Sequence, residues 1–324
     1  MVSIELFDYA DRRLDGPAGL LYPEMSEQVA TADALGYARV WLTEQHLTAR
    51  GRVPDSLQML AFLAARTSRI RLATGVLPAA VHQPVLLLES LSQLDSLSGG
   101  RLDVGIGSGS EAGDILGALG ISPDETAERT AELYELLAQA RPGGQVVAHG
   151  VDEGFRLDPE PLRPLLDLVW TAAGRSALDL TARYGTGLLL PRPMPLAARL
   201  ELSRRYREAV AAPRVVHFKA GLVASSREEA RRRAAGFVQD YAARYLGVQV
   251  GGPDSADFDD AVERLDLALG EPEQVAERVR EWVRGFGDDD SVALQFAGPT
   301  VANADVLASL ELFASQLETL RHLF

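Results

Sequence analysis

Residues Arg69–Ser110 read RIRLATGVLPAAVHQPVLLLESLSQLDSLSGGRLDVGIGSGS. Ile70–Val76 is a short apolar run closed by Gly75 and Pro78, the pattern of a strand buried on both faces. From Pro84, apolar residues recur at Val85, Leu88, Leu91, Leu94 and Leu97, the spacing of a helix with one buried face, and Pro84 suits its first turn. Ser98, Gly99 and Gly100 stop that helix, and Leu102–Ile106 is a second short apolar run. A strand, a helix and a returning strand in this span make a parallel βαβ unit.

The same alternation extends in both directions. Strands are expected at Val2–Phe7, Ala38–Thr43, Leu166–Ala173, Gly187–Leu190, Arg214–Ala224 and Ser291–Phe296. Helices are expected at Pro23–Leu35, Pro54–Thr67, Asp124–Ala140, Ala177–Tyr184, Pro195–Val210, Arg227–Leu246, Glu273–Phe286 and Asn303–Leu320. Two stretches break the pattern. Residues 141–164, rich in Pro and Gly, read as an inserted hairpin and linker, and 247–270 as a mobile excursion; both are expected to shape a substrate entrance. Eight strands alternating with helices in 324 residues predict an α/β fold, a (β/α)8 TIM barrel, as a single domain over 1–324.

Composition excludes several classes of function. A net charge of −14 argues against a nucleic-acid or anionic-membrane partner. The absence of cysteine removes disulfides, thiolate metal sites and cysteine nucleophiles, leaving His and carboxylates as metal ligands. With no basic leader followed by an apolar segment and no apolar run of about 18 residues, a cytoplasmic location is expected.

In a TIM barrel the chemistry lies at the carboxyl ends of the strands. Strand two ends there in Thr43-Glu44-Gln45-His46, where a carboxylate, an amide and an imidazole either handle a proton beside a ligand or satisfy one another. After strand four, Gly107-Ser108-Gly109-Ser110 offers small residues and backbone N–H groups, as a ligand cradle or as a tight turn. Ala173-Gly174-Arg175-Ser176-Ala177, between strand five and helix five, is the better phosphate site, since helix N–H groups, a hydroxyl and a guanidinium converge; Ser176 reads equally as an N-cap. The remaining histidines carry less weight: His82 lies in the turn opening helix three, His149 in the inserted hairpin, His322 in the tail, and His217 within strand seven. No cluster has metal-ligand spacing, so no metal is expected, and Asp288–Asp290 reads as a solvated loop.

These residues resemble a known family. VWLTEQHL at 40–47, ATGVLP followed by HQP, and above all LSQLDSLSGGRLDVGIGSGS are similar to the bacterial-luciferase-like flavin-dependent monooxygenases, and AAGRSALDLTARYG is a looser counterpart of that family's phosphate segment. The resemblance implies a two-component monooxygenase in which reduced FMN, supplied by a separate flavin reductase, reacts with O2 at C4a. The resulting peroxyflavin would oxygenate a medium-sized organic substrate, as in secondary metabolism. It places Glu44 near the isoalloxazine, Thr74 and Gly75 beside the ring, Gly107, Ser108, Gly109 and Ser110 near ribityl or phosphate, and Gly174, Arg175, Ser176 and Ala177 at the phosphate. It also implies a non-prolyl cis peptide at Thr74–Gly75 or Gly75–Val76. The family's Glu is commonly followed by two histidines, the first of them catalytic. Here Gln45 stands in that place and His46 alone remains, which argues against light emission from an aldehyde. Ser108 likewise stands where the family can present an arginine, a charge that Arg175 could replace. Two alternatives stay open: an oxidoreductase using F420, and a non-catalytic flavin-binding or partner subunit. A homodimer is expected through small residues on helices two and three, Ala61, Ala64, Ala65 and Ser90.

Overall fold

The computed structural model describes residues 3–8, 18–48, 53–110, 112–283, 285, 287 and 290–321. In chain order these form β1 (Ser3–Asp8), α1 (Leu21–Leu35), β2 (Arg39–Leu42), α2 (Ser56–Ala64), β3 (Arg71–Pro78), α3 (Pro84–Leu97), β4 (Leu102–Gly107), α4 (Asp114–Ala118) and α5 (Thr126–Gln139). Then follow β5 (Val169–Ala172), α6 (Ala177–Tyr184), β6 (Gly187–Leu190), α7 (Leu196–Ala209), β7 (Val215–Val223), α8 (Arg227–Tyr241), α9 (Ala256–Arg264), β8 (Leu267–Gly270), α10 (Pro272–Val283), β9 (Ser291–Gln295) and α11 (Asn303–Arg321). The strands form one sheet in the order β6-β5-β4-β3-β2-β1-β9-β7-β8, and β6 pairs in addition with β7, so the fold is the closed (β/α)8 TIM barrel. No described helix is long and apolar enough to cross a membrane.

Contacts divide the chain into two compact units. The first, residues 41–189 and 201–214, holds β3–β6 and their helices around buried Trp41, Leu72, Leu91, Val104, Leu137 and Val169. The quoted stretch folds as read: α3 begins with Pro84 after a Gln83 cap whose side chain accepts from the Leu86 N–H, and ends before Gly99 and Gly100, both in the left-handed region. β3 and β4 pair in parallel with a register shift between Thr74 and Leu77. The second unit, residues 1–40, 190–200 and 215–324, holds β1, β7, β8 and β9, with Phe7 stacked on Phe218 at 4.4 Å and Val216, Val292, Leu310 and Phe313 buried.

Three expectations are corrected. Residues 247–270 are not a structureless excursion: they contain α9 and β8, and β8 pairs in parallel with Ala220–Val223. The Asp-rich surface of α9 hides a short apolar stripe, Phe258, Ala261 and Leu265, and four residues are too few for β8 to show a period. Residues 141–164 do contain an antiparallel bridge, Val146 to Phe155, but they do not frame an entrance at the carboxyl ends. Arg163 donates to Asp95 and to the Gly100 carbonyl, and the Ser92 hydroxyl to the Pro159 carbonyl, so the insertion is tied to α3 and to the turn entering β4, at the strands' amino ends. Asp290 is buried, not solvated, and accepts a hydrogen bond from His217 at 3.0 Å. Val2, Glu111, Asp288, Asp289 and His322 lie outside the described residues.

Candidate functional site

Glu44, two residues past β2, organises the carboxyl-end chemistry of the first unit. Its Oε2 accepts from the Ser56 N–H at 3.2 Å and hydroxyl at 2.7 Å, the first residue of α2. Its Oε1 accepts from His46 Nε2 at 3.0 Å and from His82 Nε2 at 2.6 Å. Burial pushes the carboxyl up, but the hydrogen bonds of His46, His82 and Ser56 and the charge of His82 outweigh it and hold the pKa down at about 2. The carboxylate is inaccessible while the rings of His46 and His82 are 19% and 23% exposed, so two imidazoles face outward from a fixed anion. The expected set Glu44 and His46 is thus brought together. Gln45 sits beside it with its N–H bonded to the Val53 carbonyl at 3.0 Å.

His82 is the correction at this site. Read as a turn residue, it does terminate the short turn after β3, but its ring reaches the Glu44 carboxylate. Ser56 was also missed. Neither residue has a spacing signal, since the fold joins positions 44, 56 and 82 from three segments. The available clue was that His-Gln-Pro lies in a strand-to-helix loop, on the chemical side of a barrel.

β3 and β4 follow β2 in the order of the sheet. The Gly75–Val76 peptide is cis, at one of the two expected bonds and within the register shift. Thr74 is fully buried, and its hydroxyl donates to the Gly105 carbonyl at 2.8 Å, so the side chain braces the strand pair. A Cβ on Gly105 would collide with the Thr74 carbonyl, and one on Gly107 would lie 2.8 Å from Val76 Cγ2, so the strands approach this closely only with glycine. Gly109 has φ +78, and Ser108 Oγ accepts from the Ser110 N–H at 3.3 Å. These small residues leave a partly exposed, backbone-lined shelf.

The third expected segment opens α6. Gly174, Arg175 and Ser176 are exposed, a Cβ on Gly174 would meet only the Ala172 carbonyl at 3.9 Å, and Ser176 occupies the N-cap without a side-chain cap hydrogen bond. The Ala177 N–H bonds back to the Gly174 carbonyl at 3.2 Å, which leaves the N–H groups of Leu178 and Asp179 and the Arg175 guanidinium for an anion. Ala177 is buried and anchors the turn.

In the second unit, Arg192, two residues past β6, donates to the Tyr241 hydroxyl and to Gln295 Oε1 at the end of β9, with its guanidinium 4.4 Å from the Tyr241 ring centre. His217 does not line a site: fully buried on β7, it lies against Arg199 and Asp290, and burial lowers its pKa to about 4.

A family model described as luciferase-like monooxygenase matches residues 6–289. The chain is 33% identical over 189 residues to 4-hydroxyprotoasukamycin monooxygenase of Streptomyces nodosus subsp. asukaensis, covering 55% of this chain and 50% of that one. It is 28% identical over 326 residues to limonene 1,2-monooxygenase of Rhodococcus erythropolis, covering 94% and 83% respectively. The match thus spans about half the length of the former relative. Among solved structures, monooxygenase RslO1 from Streptomyces bottropensis superposes with a TM-score of 0.81 at 27% identity, covering 98% of this chain and 99% of that one.

Proposed function

The chain belongs to the luciferase-like monooxygenase family, and on that premise we propose that it is a flavin-dependent monooxygenase that takes reduced FMN from a separate flavin reductase and uses O2 to oxygenate an organic molecule. One observation carries this reading: the buried Glu44 carboxylate holding two imidazoles lies in the same compact unit as the glycine shelf of β3 and β4 and the open amino end of α6. The shelf suits a flat ring, because Gly107, Ser108 and Gly109 form a half-buried turn of small residues at the end of β4. The α6 terminus fits a phosphate, because its N–H groups lack a side-chain cap and Arg175 stands beside them. Gly174, Arg175 and Ser176 would hold the FMN phosphate on the turn that buried Ala177 anchors, Ser108 and Ser110 the ribityl chain, and Gly107 the ring.

When bound, reduced flavin supplies the two electrons that activate oxygen. The protein's own part is proton management. Glu44 stays anionic through the physiological range and fixes each Nε2 toward itself, which leaves each Nδ1 edge to exchange a proton with a ligand or solvent. His82 thereby supplies an imidazole where Gln45 has none. The test is turnover under ¹⁸O2 with reduced FMN, a reductase and a panel of terpenoid and aromatic substrates, read by mass spectrometry. Incorporation of one labelled oxygen atom is expected. Hydride transfer to or from F420 with no oxygen uptake would overturn the reading, and so would tight flavin binding with no labelled product across the panel.

A further inference from the structure

We propose that Glu44, His46 and His82 form a binding site for one divalent transition-metal ion of the zinc or cobalt kind. Two imidazole nitrogens and a carboxylate oxygen, one from each residue, lie within 4.8 Å of one another. The two Nε2 atoms stand 3.0 and 2.6 Å from Glu44 Oε1, and separating the three donors around an ion at about 2.0–2.2 Å needs only small rotations of the partly exposed rings. Two histidines and one carboxylate with positions left open to solvent form a recognised coordination set for first-row metals, and the nitrogen donors select these over magnesium or calcium. The supporting shell is already built: Ser56 holds the second carboxylate oxygen through both its N–H and its hydroxyl, the kind of contact that orients a metal ligand. The chain has no cysteine to compete for the ion.

Binding would replace the two Nε2–H to Oε1 hydrogen bonds with three metal bonds. A ring that enters neutral would move its N–H to Nδ1 by exchange through solvent, and one that enters protonated would release its Nε2 proton to solvent. Occupancy removes both imidazoles from proton exchange. For the monooxygenase reading, on which this consequence alone rests, the metal would be an inhibitor reversed by chelation.

The experiment uses the metal-free full chain, without flavin or substrate, so its outcome is independent of that reading. Co2+ is titrated in and followed by visible absorption, then displaced by Zn2+, and histidine ring nitrogens are followed by NMR with Zn2+. Saturation at one ion per chain is expected, with two of the five histidines perturbed. Ser56→Ala should weaken binding by about 10–100-fold, and Glu44→Gln and His82→Ala by more. His149→Ala, on the insertion, should leave it unchanged. Absence of saturable binding, unchanged affinity in both ligand variants, or perturbation of histidines other than two would overturn the proposal; the NMR result holds even if a variant misfolds.

Discussion

Glu44 ties the chemistry to the fold. Its folded pKa of about 2 lies below the usual 4.5, so it contributes stability fully present above pH 4.5 and lost as pH falls toward 2. That shift corresponds to about 3 kcal/mol, so Glu44→Gln should be less stable than the native chain by that order at pH 7, with the difference closing near pH 2 in urea melts. Arg175→Ala should weaken FMN binding by about tenfold or more, the worth of one charge-assisted hydrogen bond, with the melting temperature unchanged; undiminished affinity would remove Arg175 from the phosphate site. The strand-end positions of Glu44, His46 and the 107–110 and 174–177 loops were legible, because the strands that precede them carry short apolar runs with clear ends. His82 was not, because the hydrogen bond that gives it meaning spans 38 residues of chain.

At the level of elements, the family-like motif LSQLDSLSGGR turns out to be a clamp. The Arg101 guanidinium donates to the carbonyls of Ser98, Ala64, Thr67 and Ile70 and to the Thr67 hydroxyl, at 2.7–3.2 Å, capping the end of α2 and fastening it to β3 and β4. Asp95 in the same motif accepts from Arg163. Arg101→Ala should therefore cost about 3 kcal/mol or more in urea unfolding, leaving buried carbonyls unsatisfied, while the folded fraction binds flavin normally. In this chain the motif marks how α2 and α3 are held against the strands. The helices read best from sequence were those with a long apolar stripe, such as α3; β8 and the short α9 went unread because a few residues carry too little period.

For the whole molecule, the pH dependence of folding has a second source. Burial keeps His217 neutral, with Nδ1 accepting from Arg199 and Nε2–H donating to Asp290. Its folded pKa of about 4 lies below the ordinary 6.5, so only the unfolded chain takes up this proton between those values and stability falls as pH drops from 6.5 to 4, by about 3 kcal/mol. Chemical melts of His217→Gln should lack that slope. We also expect a homodimer through α2 and α3, where Phe62, Leu86 and Leu97 are 47%, 61% and 62% exposed and Ala65 and Ser90 are surface residues; Ala64 is buried and belongs to the core. Light scattering should give twice the chain mass, and Phe62→Glu should reduce it to one. A reduced-flavin site built from the ends of β2, β3, β4 and β5 can be measured by anaerobic equilibrium dialysis of the purified chain against reduced FMN, with F420 as competitor. Saturation at one reduced FMN per chain is expected, weakened by Arg175→Ala and indifferent to F420. Saturable binding of F420 with none of reduced FMN would contradict it.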